Sequence, residues 1–230
     1  MTTSSLEIEM KFSVGSTADV PSLCGVTPAL SAVLGEQHHS LRALYFDTPD
    51  LRLTRAKVTL RRRTGGGDAG WHIKLPATTG RQEIHAPLED HNQHNNQPAV
   101  PSPGTAGSAT EVPTELLQHV RHLVGSQRLI PIAQVDNERT EITYGDSSGA
   151  PTVFLCDDHV CARSLLSENN TRQWREWELE LAAGVEKRHA DTDAIMQECA
   201  ARLRAAGATP ADSPSKLVTA LGSDHPSAHR

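Results

Sequence analysis

The sequence predicts an α+β fold, mainly antiparallel β, in which about eight strands form a closed or nearly closed barrel with helices packed outside. Two observations carry that prediction. Short runs of alternating apolar and polar residues recur along the 230-residue chain, separated by glycine- and proline-rich turns. Segments with helical periodicity are few and fall between these runs.

The first run is LEIEMKF, residues 6–12. Leu6, Ile8, Met10 and Phe12 take one face and Glu7, Glu9 and Lys11 the other, as the two-residue period of a strand requires. Residues 17–35 read as loop and helix. HSLRALYFDT (39–48) is a second strand, closed by the turn DTPD. AKVTLRRR (56–63), GWHIKLPA (70–77) and RQEIHAPL (81–88) continue an antiparallel meander, with GGGD turning between the first two. Residues 89–112 are dominated by Asn, Gln, Pro, Gly and Ser and predict a flexible surface loop, in and beside which His85, His91 and His94 read as solvated. PTELLQHVRHLVG (113–125) predicts a helix with Thr114 as N-cap and Gly125 as stop. Strands resume at 130–145, with a bend, and at 152–166 and 172–184. A helix over 192–207 carries Ile195, Met196, Cys199 and Leu203 on one stripe, and a short final helix over 213–221 begins near Ser213 and Pro214. One domain over 1–221 and a disordered tail over 222–230 complete the organisation.

Composition narrows the partners. A net charge of −6 and 3% aromatic residues argue against nucleic acid, which favours basic patches and stacking platforms. Cys24, Cys156, Cys161 and Cys199 have no zinc spacing and read as reduced thiols. With no export signal and no apolar run of membrane length, the expectation is a cytoplasmic monomer or homodimer.

The polar faces of the strands are sorted by sign. Glu7 and Glu9 recur as Glu176, Glu178 and Glu180 in WREWELEL, while Arg61 and Arg63, Lys74, and Arg81 with Glu83 alternate in the same way on other strands. A merely wet face needs no such sorting. Placed inside a barrel, acid pairs repel and require a cation, and oxygen-only ligands suit Mg²⁺ or Mn²⁺. Arginine and lysine in the same cavity suit a phosphate chain. Cation, basic cradle and phosphates together are the equipment of phosphoryl transfer.

These residues resemble the CYTH superfamily, the triphosphate tunnel metalloenzymes. Glu7, Glu9 and Lys11 match its ExExK signature, and YFDTPDLRL, LRRR, IKL, RQE, ERT, DDHV, EWELEL and SKL follow in family order from residue 6 to residue 217. The resemblance implies an eight-stranded antiparallel tunnel that binds a triphosphate lengthwise with a divalent metal. It implies Glu7, Glu9, Asp158, Glu178 and Glu180 as metal ligands, with Asp157 an open alternative to Asp158. Lys11, Arg61, Arg63, Lys74, Arg139 and Lys216 would grip the phosphates, and Glu9, Lys11 and Glu178 would act in catalysis. Arg81 and Glu83 become a tunnel-wall pair, Tyr45 and Asp47 structural residues, and Glu176 a rim residue. Arg62 and Arg175 read as outer-face or solvated, and His72 and His159 as groups able to titrate near neutrality without being essential. Inorganic tripolyphosphate is the first expectation for substrate, because no base pocket is legible. Thiamine or other organic triphosphates come second and an adenylyl cyclase acting on ATP third. A non-catalytic polyphosphate binder is the rival from another class. Members of the family often carry a further helical CHAD domain after the tunnel domain, and this chain is expected to end too soon to hold one.

Overall fold

The structure, a computed structural model, describes residues 2–78, 80–88, 112–168 and 170–226. The loop expected at 89–112 lies outside these apart from Val112, as do the last four residues of the expected tail.

Among the described residues ten strands form one sheet: β1 (Thr3–Glu7), β2 (Glu9–Ser13), β3 (Ala32–Asp47), β4 (Thr59–Thr64), β5 (Gly70–Pro76), β6 (Arg81–Pro87), β7 (Ile130–Gly145), β8 (Pro151–Ser164), β9 (Thr171–Leu181) and β10 (Thr209–Pro210). Their order is β1-β6-β5-β4-β3-β7-β8-β9-β2-β10, and each pairing is antiparallel. β1 at one edge and β2 near the other are one chain segment, interrupted only at Ile8. The sheet therefore curls until its two ends meet in the opening stretch, which turns from β6 as partner to β9. No continuous ladder closes the ring. Covalent continuity joins its ends, and the Ile8 carbonyl accepts from the Leu181 N–H at 3.0 Å.

Alternation decides what fills each side. Outward side chains Phe12, Val153, Leu155, Trp177 and Leu179 form one core with α3 (Thr192–Ala205), through Ile195, Met196, Cys199 and Leu203. Outward Leu60, Ile73 and Ile84 form another with α1 (Arg52–Arg55) and α2 (Thr114–Val124). The last helix, α4 (Lys216–Leu221), behaves differently from the outer packing expected. Leu217, Ala220 and Leu221 pack on inward-facing Ala43, Tyr45, Ala133, Val135, Val160 and Ala162, so α4 occupies one end of the tunnel. At that end most inward positions change from charged to alanine and valine, which leaves room for a helix.

Several local expectations are corrected. Residues 17–35 hold no helix. Pro21, Pro28 and Gly25 break the periodicity, and Leu23, Ala29 and Leu30 are buried from irregular backbone beneath α3. Thr114 opens α2 as its first residue, and the cap position belongs to Pro113. α4 is capped by Ser215, whose side chain accepts from the Val218 N–H, two residues beyond the predicted start at Ser213. β7 runs through the expected bend as one strand, its register slipping only beside Tyr144 and, against β3, beside Tyr45. Residues 222–224, assigned to the tail, form a 3₁₀ turn.

Candidate functional site: a charged tunnel

The tunnel encloses a cavity of about 380 Å³. Lining it are the acids Glu7, Glu9, Glu178 and Glu180, and the bases Lys11, Arg61, Arg63, Lys74, Arg139 and Lys216. Arg81, Glu83 and Tyr45 line it too. Strand register produces this convergence. Glu9 stands opposite Glu180 and Lys11 opposite Glu178 in the β2–β9 pair, and Arg139 stands opposite Asp158 in the β7–β8 pair.

Asp158 does not line the cavity; it is fully buried beneath it. Arg139 donates to it from Nε and from Nη2, both at 2.7 Å, and Asn137 donates at 2.9 Å. Asp157, one residue away, faces the outer side, where Arg175 grips it at 2.8 and 3.0 Å and Trp177 Nε1 donates at 3.1 Å. The one-residue parity of a strand separates the two acids completely. Arg175 is on the outer face as expected but is not solvated: its guanidinium also donates to the carbonyls of Gly15, Ser16 and Ala18.

Asp158, Glu176 and Glu178 bring carboxylate oxygens within 4.8 Å of one another, a cluster able to hold a cation. Lys216 already reaches all three, at 2.7, 2.6 and 2.8 Å. Glu176, assigned to the rim, is thus a member of the buried cluster and also accepts from Trp174 Nε1 at 2.5 Å. Lys11 bridges Glu9, at 2.7 Å, and Glu178, while Arg139 also contacts Glu178 and Lys74 contacts Glu7. Burial alone would raise Asp158 and Glu178, but Lys216 and Arg139 hold Asp158 low, and Lys11, Lys216 and Arg139 hold Glu178 well below the carboxylate range. The same attractions overcome burial at Lys11, Arg139 and Lys216, all raised.

Glu180 has a different environment. Burial, then the charges of Glu7, Glu178 and Glu9, push it up to about 7, with only Lys74 opposing. Its oxygens have no ion pair among the described residues. The basic wall is correspondingly underpaired. Arg61 Nε and Arg63 Nε are buried without hydrogen-bond partners, and burial with Arg61 and Arg139 nearby lowers Arg63 to about 9.

Asp47 is structural, as expected. It is fully buried and accepts from the N–H groups of Thr48, Leu53 and Thr54 and from the Thr54 hydroxyl, at 2.7 to 2.9 Å, tying the end of β3 to α1. His72 departs from expectation: it is 2% exposed, and burial pushes it down to about 3. Asn137, not foreseen, lines the cavity with its Oδ1 buried and unpartnered. A cue existed, since it shares strand parity with Arg139.

The fold and site define a class: a curled antiparallel sheet with a charge-sorted interior stoppered by a helix at one end. The chain belongs to the CYTH domain family, which matches residues 5–211. It is similar to two uncharacterized proteins of Mycobacterium tuberculosis, from strains CDC 1551 and H37Rv, each 39% identical over 232 residues. The match covers 96% of this chain and 41% of each relative, so the chain spans well under half their length. Among solved structures, a Bacillus halodurans protein described as a candidate adenylate cyclase shares the fold at 18% identity and a TM-score of 0.56, covering 93% of this chain and 96% of that one. A Hippeastrum protein, described as a candidate adenylyl cyclase with a dominant triphosphatase activity, is similar at 13% identity and a TM-score of 0.46, covering 94% of this chain and 96% of that one.

Among the described residues no helix is long and apolar enough to cross a membrane.

Proposed function

We propose that this protein hydrolyses a triphosphate, inorganic tripolyphosphate first among the choices, with Mg²⁺ or Mn²⁺. The observation that carries the reading is the set of bases lining the tunnel, Lys11, Arg61, Arg63, Lys74 and Arg139, with the Nε groups of Arg61 and Arg63 buried and without hydrogen-bond partners. Buried donors without acceptors are costly, and phosphate oxygens fit guanidinium forks. Arg61 and Arg63 with Lys11, Lys74 and Arg139 bind and orient the phosphate chain and stabilise charge as it shifts to the departing phosphate.

The acidic residues fit a divalent metal unequally. Asp158, Glu176 and Glu178 already have the Lys216 ammonium between them. Glu180, raised and without a cation, is the carboxylate that best suits one, with Glu9 across the strand pair and Glu7 beside them. These three would hold the ion once it displaces Lys74 from Glu7 and Lys11 from Glu9, with Glu178 at the border of the two groups, and Asp158 and Glu176 would position Lys216 and Arg139. When bound, the metal supplies Lewis-acid polarisation of phosphate oxygens and a water of lowered pKa. Glu9, Lys11 and Glu178 orient that chemistry through the ion pairs they share.

The cavity of about 380 Å³, with α4 at one end, is lined mainly by charged side chains, which favours a phosphate chain as its occupant. The test is to incubate the protein with tripolyphosphate, thiamine triphosphate or ATP plus Mg²⁺ or Mn²⁺, following phosphate and cyclic nucleotide release. Turnover fastest on tripolyphosphate is expected; cyclic AMP from ATP would replace this reading. The occupation of the acid cluster by Lys216 favours one second reading, a polyphosphate binder without turnover. Tight binding with no phosphate release in either metal would select it.

A further inference from the structure

His72 shares a strand face with Lys74 yet does not line the cavity. It lies beneath Glu83 and Asp68, which do. Its Nδ1 is 3.0 Å from Glu83 Oε1, and its Nε2 is 3.0 Å from the Asp68 backbone oxygen. A backbone carbonyl only accepts, so Nε2 carries a hydrogen. A neutral imidazole then turns a bare Nδ1 toward a carboxylate oxygen, lone pair against lone pair. One more proton resolves the contact, either as imidazolium on carboxylate or as imidazole accepting from a carboxylic acid. In such a tight pair the proton belongs to both groups.

What opposes that proton is its surroundings. Burial, then Arg61 and Arg63 on β4, push His72 down, while the adjacent His72 ring, Lys74 and Arg61 outweigh burial and hold Glu83 below the carboxylate range. Asp68 on the hairpin is taken by Arg63, Arg81 shares the inward face of β6, and the His85 ring packs at a tilt of 39° against His72 with centroids 4.7 Å apart. A polyphosphate chain on Arg61 and Arg63 would cancel the positive charge and remove much of the opposition.

We propose that the His72–Glu83 pair takes up a proton when a polyphosphate chain enters the tunnel, and that His72 is thereby a positioning residue, fixing Glu83 beside Arg61. Glu83 Oε1 lies 3.8 Å from Arg61 Nη2, so a settled Glu83 orients the guanidinium toward the bound anion. This inference rests on the polyphosphate reading of the same site.

The test uses wild-type protein labelled with ¹⁵N at histidine, in EDTA near neutral pH, titrated with tripolyphosphate. The two His72 ring nitrogens, assigned by comparison with His72→Gln, are expected to show one bare nitrogen in the free protein. On saturation the bare nitrogen is expected to shift, as it gains a proton or accepts a hydrogen bond from protonated Glu83. Calorimetry in buffers of different ionisation heat adds a second readout. Wild type is expected to take up more protons than His72→Gln, and its affinity to fall more steeply with pH, by up to about tenfold per unit. Saturable binding with His72 unchanged and equal proton uptake in the two proteins would overturn the inference while leaving the polyphosphate reading intact. Absence of binding would remove both.

Discussion

At the scale of the residue, carboxylates of one strand face have opposite titration behaviour because their neighbours differ. Glu178 is held low by Lys11, Lys216 and Arg139, and Glu180, two residues on, is raised to about 7 by burial and acidic neighbours. The signs oppose each other. Asp158 and Glu178, depressed in the fold, contribute stability above their ordinary values of 3.8 and 4.5, and lose it as pH falls through the lower folded values. Glu180, raised from 4.5, costs stability as pH rises from 4.5 to about 7, and the cost is constant above that. Metal-free Glu180→Gln is therefore expected to be more stable than wild type at pH 8 by up to about 3 kcal/mol, with the gain gone near pH 4. Thermal melts in EDTA at the two pH values check this. The same substitution, and Glu9→Gln, are expected to lower metal-dependent turnover by about 10²-fold or more, whereas Arg62→Ala on β4 should leave it within about twofold. Steady-state rates across a metal titration decide it. Unchanged turnover in Glu9→Gln would remove the carboxylates from the mechanism.

At the scale of the element, tight turns hold the charged strands in register. Gly80, between β5 and β6, has φ +69, and a Cβ there would fall on the Glu7 carbonyl oxygen. Gly65, opening the GGGD hairpin at φ +79, packs in the same way on the Ser40 carbonyl oxygen. Each couples backbone strain to a clash, so Gly80→Ala is expected to cost about 2 kcal/mol or more and to loosen β1, visible as a lower urea midpoint. α4 depends on charge as well as apolar contact. Lys216→Met would leave Asp158, Glu176 and Glu178 crowded without their shared cation, and breaking a buried ion network from one side costs about 3–5 kcal/mol. Chemical denaturation measures the loss, and recovery on lowering the pH would identify the carboxylates as its source.

At the scale of the whole molecule, the tunnel holds together because most of its apolar surface faces out against the helices, while most of its interior is charged. That inverts the usual barrel, and it explains why the sequence could be read so far. Strict alternation in LEIEMKF and WREWELEL assigned a face to every residue, so placing Glu7, Glu9, Lys11, Glu178 and Glu180 on one side followed from strand parity alone. The sorting of acids and bases by strand then named polyanion and cation as partners. Parity could not say which of Asp157 and Asp158 points inward, because adjacent acids swap faces with a one-residue change of register, and register is fixed by pairing with distant strands. Nor could it show Lys216 seated among three carboxylates, since those contacts join residues about 40 positions apart or more, or His72 between two acceptors, which depends on how the hairpin before β5 folds back and on the register of β5 against β6. The helix in the tunnel's end was equally invisible. Small inward residues on β3, β7 and β8 mean nothing until three strands are brought side by side. Local alternation thus determined the faces and the chemistry, and only the closing of the sheet decided which charges neutralise one another and which are left for a ligand.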